Sequence, residues 1–185
     1  MQGNDAHASD TTAPAPVGSG RTAVVVIAST RAATGVYPDR TGPVIRDWLA
    51  TRGFTVAEPQ VVADGPAVAA ALRAAVDPAS GAALVLTSGG TGLSPTDTTP
   101  QATGELLDVE IPGLADAIRR SGGDAVPTSV LSRGLAGIAG RTLVVNLPGS
   151  TGGVRDGLAV LDRVLGHALD QIAGGGDHRP GGGVA

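Results

Sequence analysis

Residues 87–92, Thr-Ser-Gly-Gly-Thr-Gly, close an apolar run and open a loop that offers hydroxyls and main-chain amides. Gly89, Gly90 and Gly92 are expected to turn the chain through positive φ and to bring N–H groups against a ligand with no Cβ in the way. Thr99 and Pro100 then read as an N-cap and a first-turn proline, so the loop lies between a strand end and a helix start. Anionic groups gain there from free amides and from the positive end of the helix dipole. Residues 147–150, Leu-Pro-Gly-Ser, form a second loop of this kind, with Pro148, Gly149 and Ser150 as a further anion cradle. Two such loops at the ends of neighbouring strands predict one shared cleft.

Neither common nucleotide loop fits. A Walker loop needs a lysine on the phosphates, and all 13 basic residues are arginine. The dinucleotide fingerprint fails because Leu93, Ser94 and Pro95 follow Gly92 where a helix should already run.

Two carboxylates stand near these loops. Asp97 suits a hard divalent cation that bridges phosphate oxygens; by position alone it reads equally as a turn or capping aspartate. Asp64 ends a predicted strand ahead of Gly65 and Pro66, and suits a metal or the N-cap of the helix that follows. Ser132 and Arg133 offer a charge-assisted phosphate contact, although surface ion pairing is the commoner use of arginine. Asp39 and Arg40 read as structural residues at a helix start.

The absences prune other chemistries. With no cysteine and no lysine, disulfides, thiolate catalysis, cysteine-bound metals and Schiff bases are excluded. The histidines are His7, His167 and His178, too scattered for a triad or a multi-histidine metal site. Aspartate supplies 14 of the 17 acidic residues, and with arginine, serine and threonine it suits Mg²⁺ and phosphate chemistry. A formal charge of −4 without a basic stripe argues against a nucleic-acid partner. No apolar run reaches the length of a membrane span, and the start of the chain lacks signal-peptide character, so a cytoplasmic protein is expected.

The elements that position these residues alternate. Strands are expected at 23–28, 54–57, 82–86 and 142–146. Helices are expected from Thr41-Gly-Pro43 to Gly53, at 67–76, 100–107 and 114–120, and as one closing helix over 151–173. That order predicts an α/β fold, a three-layer α/β/α domain with a mostly parallel sheet. Residues 1–20 and 174–185 are polar or glycine-rich and read as a disordered N-terminal tail and a flexible C-terminal one, leaving 21–173 as the domain.

Thr87-Ser-Gly-Gly-Thr-Gly-Leu-Ser-Pro-Thr-Asp-Thr-Thr-Pro100 resembles the signature of the MogA/MoaB family of molybdenum cofactor biosynthesis proteins, shared with the gephyrin G domain. Asp39-Arg-Thr-Gly-Pro43, Val62-Ala-Asp64, the run from Ile111 to Arg119, Leu131-Ser-Arg133 and Val145-Asn-Leu-Pro-Gly-Ser150 match it in order. The likeness spans roughly residues 21–173. It implies the molybdopterin-binding fold and molybdopterin adenylyltransferase activity, the transfer of AMP from MgATP to the molybdopterin phosphate. It further implies Asp64 and Asp97 as catalytic and metal residues. The pterin would lie on Ser88, Gly89, Gly90, Thr91 and Gly92, with Ser132, Arg133, Pro148, Gly149 and Ser150. A homo-oligomer, trimer or hexamer, and a molybdate-inserting enzyme as partner are implied as well. The sequence departs from the family at Gln101, where an acidic residue is usual, and at Thr151, where proline is usual. Gln101 is the feature that favours the rival reading, a non-catalytic carrier or scaffold of the same pathway. A nucleotide-derivative hydrolase of the competence/damage-inducible type shares the fold but matches the loop motifs less well.

Overall fold

The computed structural model describes residues 15–174. Its seven strands are β1 (Thr22–Ala28), β2 (Thr55–Val56), β3 (Gln60–Val62), β4 (Ala82–Ser88), β5 (Val109–Glu110), β6 (Ala136–Ala139) and β7 (Thr142–Leu147). The helices are α1 (Thr30–Ala33), α2 (Gly42–Thr51), α3 (Pro66–Val76), α4 (Thr99–Gly104), α5 (Pro112–Arg120), α6 (Thr151–Asp162) and α7 (Leu165–Ile172). They build one sheet in the order β2-β1-β4-β7-β6-β5, with β3 continuing the β2 edge along β1. β2, β3, β1, β4 and β7 run parallel, and β6 runs against them, paired antiparallel with β7 on one side and with β5 on the other.

Side-chain alternation sorts the layers. Val25 and Ile27, Leu84 and Leu86, and Val145 and Leu147 face one way, into a core closed by α2, α5, α6 and α7. Ala28, Val85 and Val144 face the other way, against Val68 and Leu72 of α3 and Ala102 of α4. Burial on both faces explains why β1, β4 and β7 read as continuous apolar runs. The three-layer α/β/α architecture is the expected one.

The chain passes from β1 through α2 to the β2 and β3 edge, then through α3 across to β4 on the other side of β1. Since α2 and α3 cover opposite faces, the strand order reverses between β1 and β4, and a crevice opens beyond their carboxyl ends.

Asn146 ties this end of the sheet together on the α3/α4 face. Its Nδ2 donates to the hydroxyls of Thr87 at 3.0 Å and Thr103 at 2.9 Å, and its Oδ1 accepts the Leu135 N–H at 3.0 Å. Asn146, Thr87 and Thr103 are all buried, so this polar network is satisfied within the core.

Several boundaries differ from expectation. The strand expected at 54–57 is cut to Thr55–Val56, and β3, β5 and β6 are additional. These strands are two to four residues long, too short to carry a period; Ala-Gly-Ile-Ala of β6 pairs because it follows β7's register across the Gly140 turn. The closing helix breaks at Arg163 and Val164 into α6 and α7. The apolar stripe continues across the break, from Leu161 to Leu165, which hides it from periodicity. α4 stops at Gly104 rather than near Leu107.

The expected tail boundary also moves. Val17 packs on the core, the Gly18 N–H donates to the Arg52 carbonyl at 2.8 Å, and a Cβ on Gly18 would collide with Phe54. Residues 16–20 therefore belong to the folded domain, because a turn seats Val17 beside α7 and β1. The rest of the two expected tails, 1–14 and 175–185, lies outside the described residues. No helix among the described residues is long and apolar enough to cross a membrane.

Candidate functional site

The chain leaves β4 through Gly89 at φ 92° and Gly90 at φ 63°. A Cβ on Gly89 would run into the Ala28 carbonyl, and one on Gly90 into the Thr99 hydroxyl. Both the left-handed backbone and the close approach therefore require glycine. Gly92 departs from expectation: its φ is not positive, and its constraint is Asp97, whose Oδ2 lies 2.8 Å from where a Cβ would stand. Thr99 is likewise not the N-cap. Thr98 holds that place, the Thr99 N–H donates to the Gly90 carbonyl at 3.2 Å, and the buried Thr99 hydroxyl has no partner among the described residues.

The glycine loop at 89–92 and the Leu147–Ser150 loop touch. Ser88 Oγ donates to the Pro148 carbonyl at 2.8 Å, and a Cβ on Gly149 would stand 3.2 Å from Gly89 Cα. Ser88 thus clasps the loops together rather than offering a free hydroxyl. Ser150 Oγ accepts the Gly153 N–H at 3.1 Å and caps α6, which leaves its own proton to donate. The hydroxyls of Ser132 and Thr91 lie 3.4 Å apart.

Arg133 turns beneath the glycine loop. Its N–H donates to the Thr91 carbonyl at 2.9 Å, its Nε to the Gly92 carbonyl at 2.8 Å, and its Nη2 to the Asp97 carbonyl. Nε and Nη2 are engaged on main chain rather than in the alternative surface ion pair, so the phosphate contact expected of Arg133 would fall to Nη1 alone.

The carboxylates are held from one side. Asp97 Oδ2 accepts the Ser94 N–H at 3.2 Å. Asp64 Oδ2 accepts the Thr30 N–H at 2.9 Å and the Thr30 hydroxyl at 2.7 Å, and the Asp64 N–H donates back to that hydroxyl at 3.1 Å. The alternative use of Asp64 as the N-cap of α3 is corrected: Gly65 occupies that position, and the carboxylate turns to α1 instead. Among the described residues no three acidic or histidine side chains converge on a metal position. Asp64 and Asp97 each keep Oδ1 without a protein partner there. Such hard oxygen donors fit Mg²⁺, which takes one or two carboxylates and completes its shell with water and substrate phosphates.

The cleft has two lobes. One, of about 420 Å³, opens at the β1/β4 crevice and is lined by Ser29, Arg31, Tyr37, Asp39 and Arg40. The other, of about 570 Å³, lies beyond the glycine loop and is lined by Gly90, Thr91, Leu93, Leu131, Ser132 and Pro148 among others. Both are in the size range of small-ligand sites, and both share the wall of Gly89, Gly149 and Ser150. Asp64 and Asp97 line neither. Gln101 is exposed on α4 and also lines neither, so the feature behind the carrier reading lies outside both lobes. Arg31 and Tyr37 went unread in the sequence. The signal was there: Ser29-Thr-Arg31 is a third strand-to-helix junction at the same sheet edge.

Residues 24–167 match the model of a probable molybdopterin binding domain. A molybdenum cofactor biosynthesis bifunctional protein of Synechococcus elongatus is 41% identical over 167 residues, covering 89% of this chain and 51% of its own length. The chain spans about half the length of the bifunctional relatives it matches, 51% and 49%. A protein named molybdopterin adenylyltransferase from Helicobacter pylori is 33% identical, covering 81% of this chain and 86% of its own. The solved structure of the molybdopterin biosynthesis Mog protein from Mycobacterium ulcerans is 60% identical with a TM-score of 0.78, covering 83% of this chain and 97% of that one. A matched domain that contains both the glycine loop and the Leu147–Ser150 loop, and relatives of this identity across it, mean that the chain belongs to the MogA/MoaB family of molybdenum cofactor biosynthesis proteins.

Proposed function

We propose that the chain is a molybdopterin adenylyltransferase that transfers AMP from MgATP to the molybdopterin phosphate and releases pyrophosphate. One observation carries this reading: two lobes of ligand size meet at a wall made of Gly89, Gly149 and Ser150. Two phosphorylated substrates brought to such a wall need only alignment and charge neutralisation, with no protein nucleophile. An oxygen of the pterin phosphate forms a bond to the α-phosphorus, and the α–β bridging bond breaks with its electron pair leaving on pyrophosphate. The amides of the glycine loop and the Ser150 hydroxyl bind and orient the acceptor phosphate. Asp64 and Asp97 would hold Mg²⁺, which when bound neutralises charge on the phosphate oxygens.

The exposed apolar residues Leu93, Val126, Val130 and Leu131 support a homo-oligomer, a trimer or pair of trimers, and light scattering that gave a stable monomer would count against it. The activity is tested by mixing the protein with molybdopterin, ATP and Mg²⁺ and following pyrophosphate. Release that depends on all three is the expected result. Tight pterin binding with no pyrophosphate at any Mg²⁺ concentration would leave a carrier.

A further inference from the structure

We infer that Thr99 is a positioning residue of the glycine loop: its buried hydroxyl is the donor for the Gly89 carbonyl when an anion engages the Gly90 N–H. The inference rests on the reading of that loop as a phosphate site and takes nothing else from the proposed reaction.

Thr99 is 0% exposed, and its Oγ1 is the one buried side-chain polar atom without a hydrogen-bond partner among the described residues. The other buried hydroxyls near it, on Thr87 and Thr103, are both paired with Asn146. A buried hydroxyl left unpaired is destabilising, so its presence here needs a physical reason. Its place supplies one. A Cβ on Gly90 would collide with Thr99 Oγ1. Gly89 and Gly90 line the second lobe and Thr99 lines neither, so the hydroxyl lies directly behind the loop.

The main chain of Thr99 already orients one peptide of the loop. Its N–H donates to the Gly90 carbonyl at 3.2 Å. In a trans peptide the carbonyl and the following N–H point opposite ways, so a Gly90 carbonyl held inward aims the Thr91 N–H outward. The preceding peptide obeys the same rule. For the Gly90 N–H to reach an anion in the lobe, the Gly89 carbonyl must turn inward, to the side on which Thr99 Oγ1 lies. Among the described residues the Gly89 carbonyl accepts no hydrogen bond, and the Gly90 and Thr91 N–H groups donate none. Turning that peptide is a rotation about ψ of Gly89 and φ of Gly90, which two glycines permit at φ 92° and 63°. An unpaired carbonyl and an unpaired hydroxyl then satisfy one another, and the adjacent amides of Gly90 and Thr91 converge on one anion as a backbone nest. A hydrogen bond made only with the anion in place strengthens the binding of that anion.

The test is amide NMR of the full-length protein titrated with inorganic phosphate. The native chain is compared with Thr99→Val, which keeps the shape and removes the donor, and with Thr99→Ser, which keeps the donor. Native protein is expected to show saturable shifts at the N–H groups of both Gly90 and Thr91. In Thr99→Val phosphate affinity should fall about tenfold, and the Gly90 shift should shrink while that of Thr91 persists, since the residue 99 N–H still holds its peptide. The valine variant should melt no lower than the native protein, because an unpaired buried hydroxyl has gone, and serine should restore affinity to within about twofold. A native chain whose Gly90 amide ignores phosphate, or a valine variant that responds as the native chain does, would overturn the inference. So would weakened binding in Thr99→Val accompanied by a melting temperature several degrees lower and no rescue by serine, the pattern of a lost packing contact. Pyrophosphate release together with a native-like phosphate response in Thr99→Val would sink this role and keep the transferase. A Thr99-dependent response in a protein that never releases pyrophosphate would do the reverse.

Discussion

Arg133 Nε and the Gly92 carbonyl meet at 2.8 Å across 41 residues of sequence, so that the glycine loop is braced from beneath. A second leg of the same guanidinium reaches the Asp97 carbonyl. Lysine has one point charge and no fork, and cannot make both contacts in this geometry. Arg133→Lys is expected to stay folded and to lose about tenfold in molybdopterin affinity, because a loosened loop must be re-ordered on binding. Titration beside a melting curve checks this; unchanged affinity would mean that the loop keeps its shape without the brace.

Asp97→Asn and Asp64→Asn each remove a charge while keeping the size of the side chain and one acceptor oxygen. Both should lower adenylyl transfer by on the order of 10²-fold or more with the fold intact. A folded variant with native turnover would remove that aspartate from any metal role.

Gln101 is exposed and outside both lobes. Gln101→Glu should leave the rate and the Mg²⁺ concentration for half-maximal rate within about twofold, since a charge on this exposed side chain, unlike those of the half-buried Asp64 and Asp97, is screened by solvent. A clear rise in rate would place this side chain closer to the reacting groups than the present geometry does.

Asn146→Leu fills the same space and strands the Leu135 N–H together with the Thr87 and Thr103 hydroxyls in the core. Loss of these partners is expected to cost about 2–4 kcal/mol in urea unfolding. A cost well under 1 kcal/mol would show that the freed groups find other partners.

Deleting residues 1–20 should lower stability by about 1–3 kcal/mol, since it removes Val17 from the core edge and the Gly18 to Arg52 hydrogen bond. Deletion of residues 1–14 alone is the control, expected to keep the native melting temperature. Equal melting temperatures for both truncations would return the boundary to residue 21.

The long buried strands and the two strand-to-helix loops at 89–92 and 148–150 could be read from the sequence because each is a local pattern: a β-branched run, or glycines beside a helix start. What could not be read depends on contacts distant in sequence. The direction of Arg133 is set by carbonyls 36 and 41 residues away, and Asp64 is drawn to Thr30 across 34 residues. β3, β5 and β6 form because a neighbouring strand offers an edge, which no window of their own residues records. Val17 and Gly18 sit in a polar, alanine- and proline-rich stretch, and only Phe54 and Arg52 reveal that they dock.

The wall between the lobes has a consequence for how such a site can change. Gly89 and Gly149 contribute no side chain to it, and Ser150 turns its oxygen into α6. The part common to both lobes is therefore mostly main chain, which substitution hardly alters, while the outer linings are side chains, Arg31, Tyr37 and Arg40 on one side and Leu93, Val126 and Leu131 on the other. Because the two outer linings share no residue, a substitution in one leaves the main-chain joint in place, so under the proposed reaction the two substrate preferences are open to change one lobe at a time.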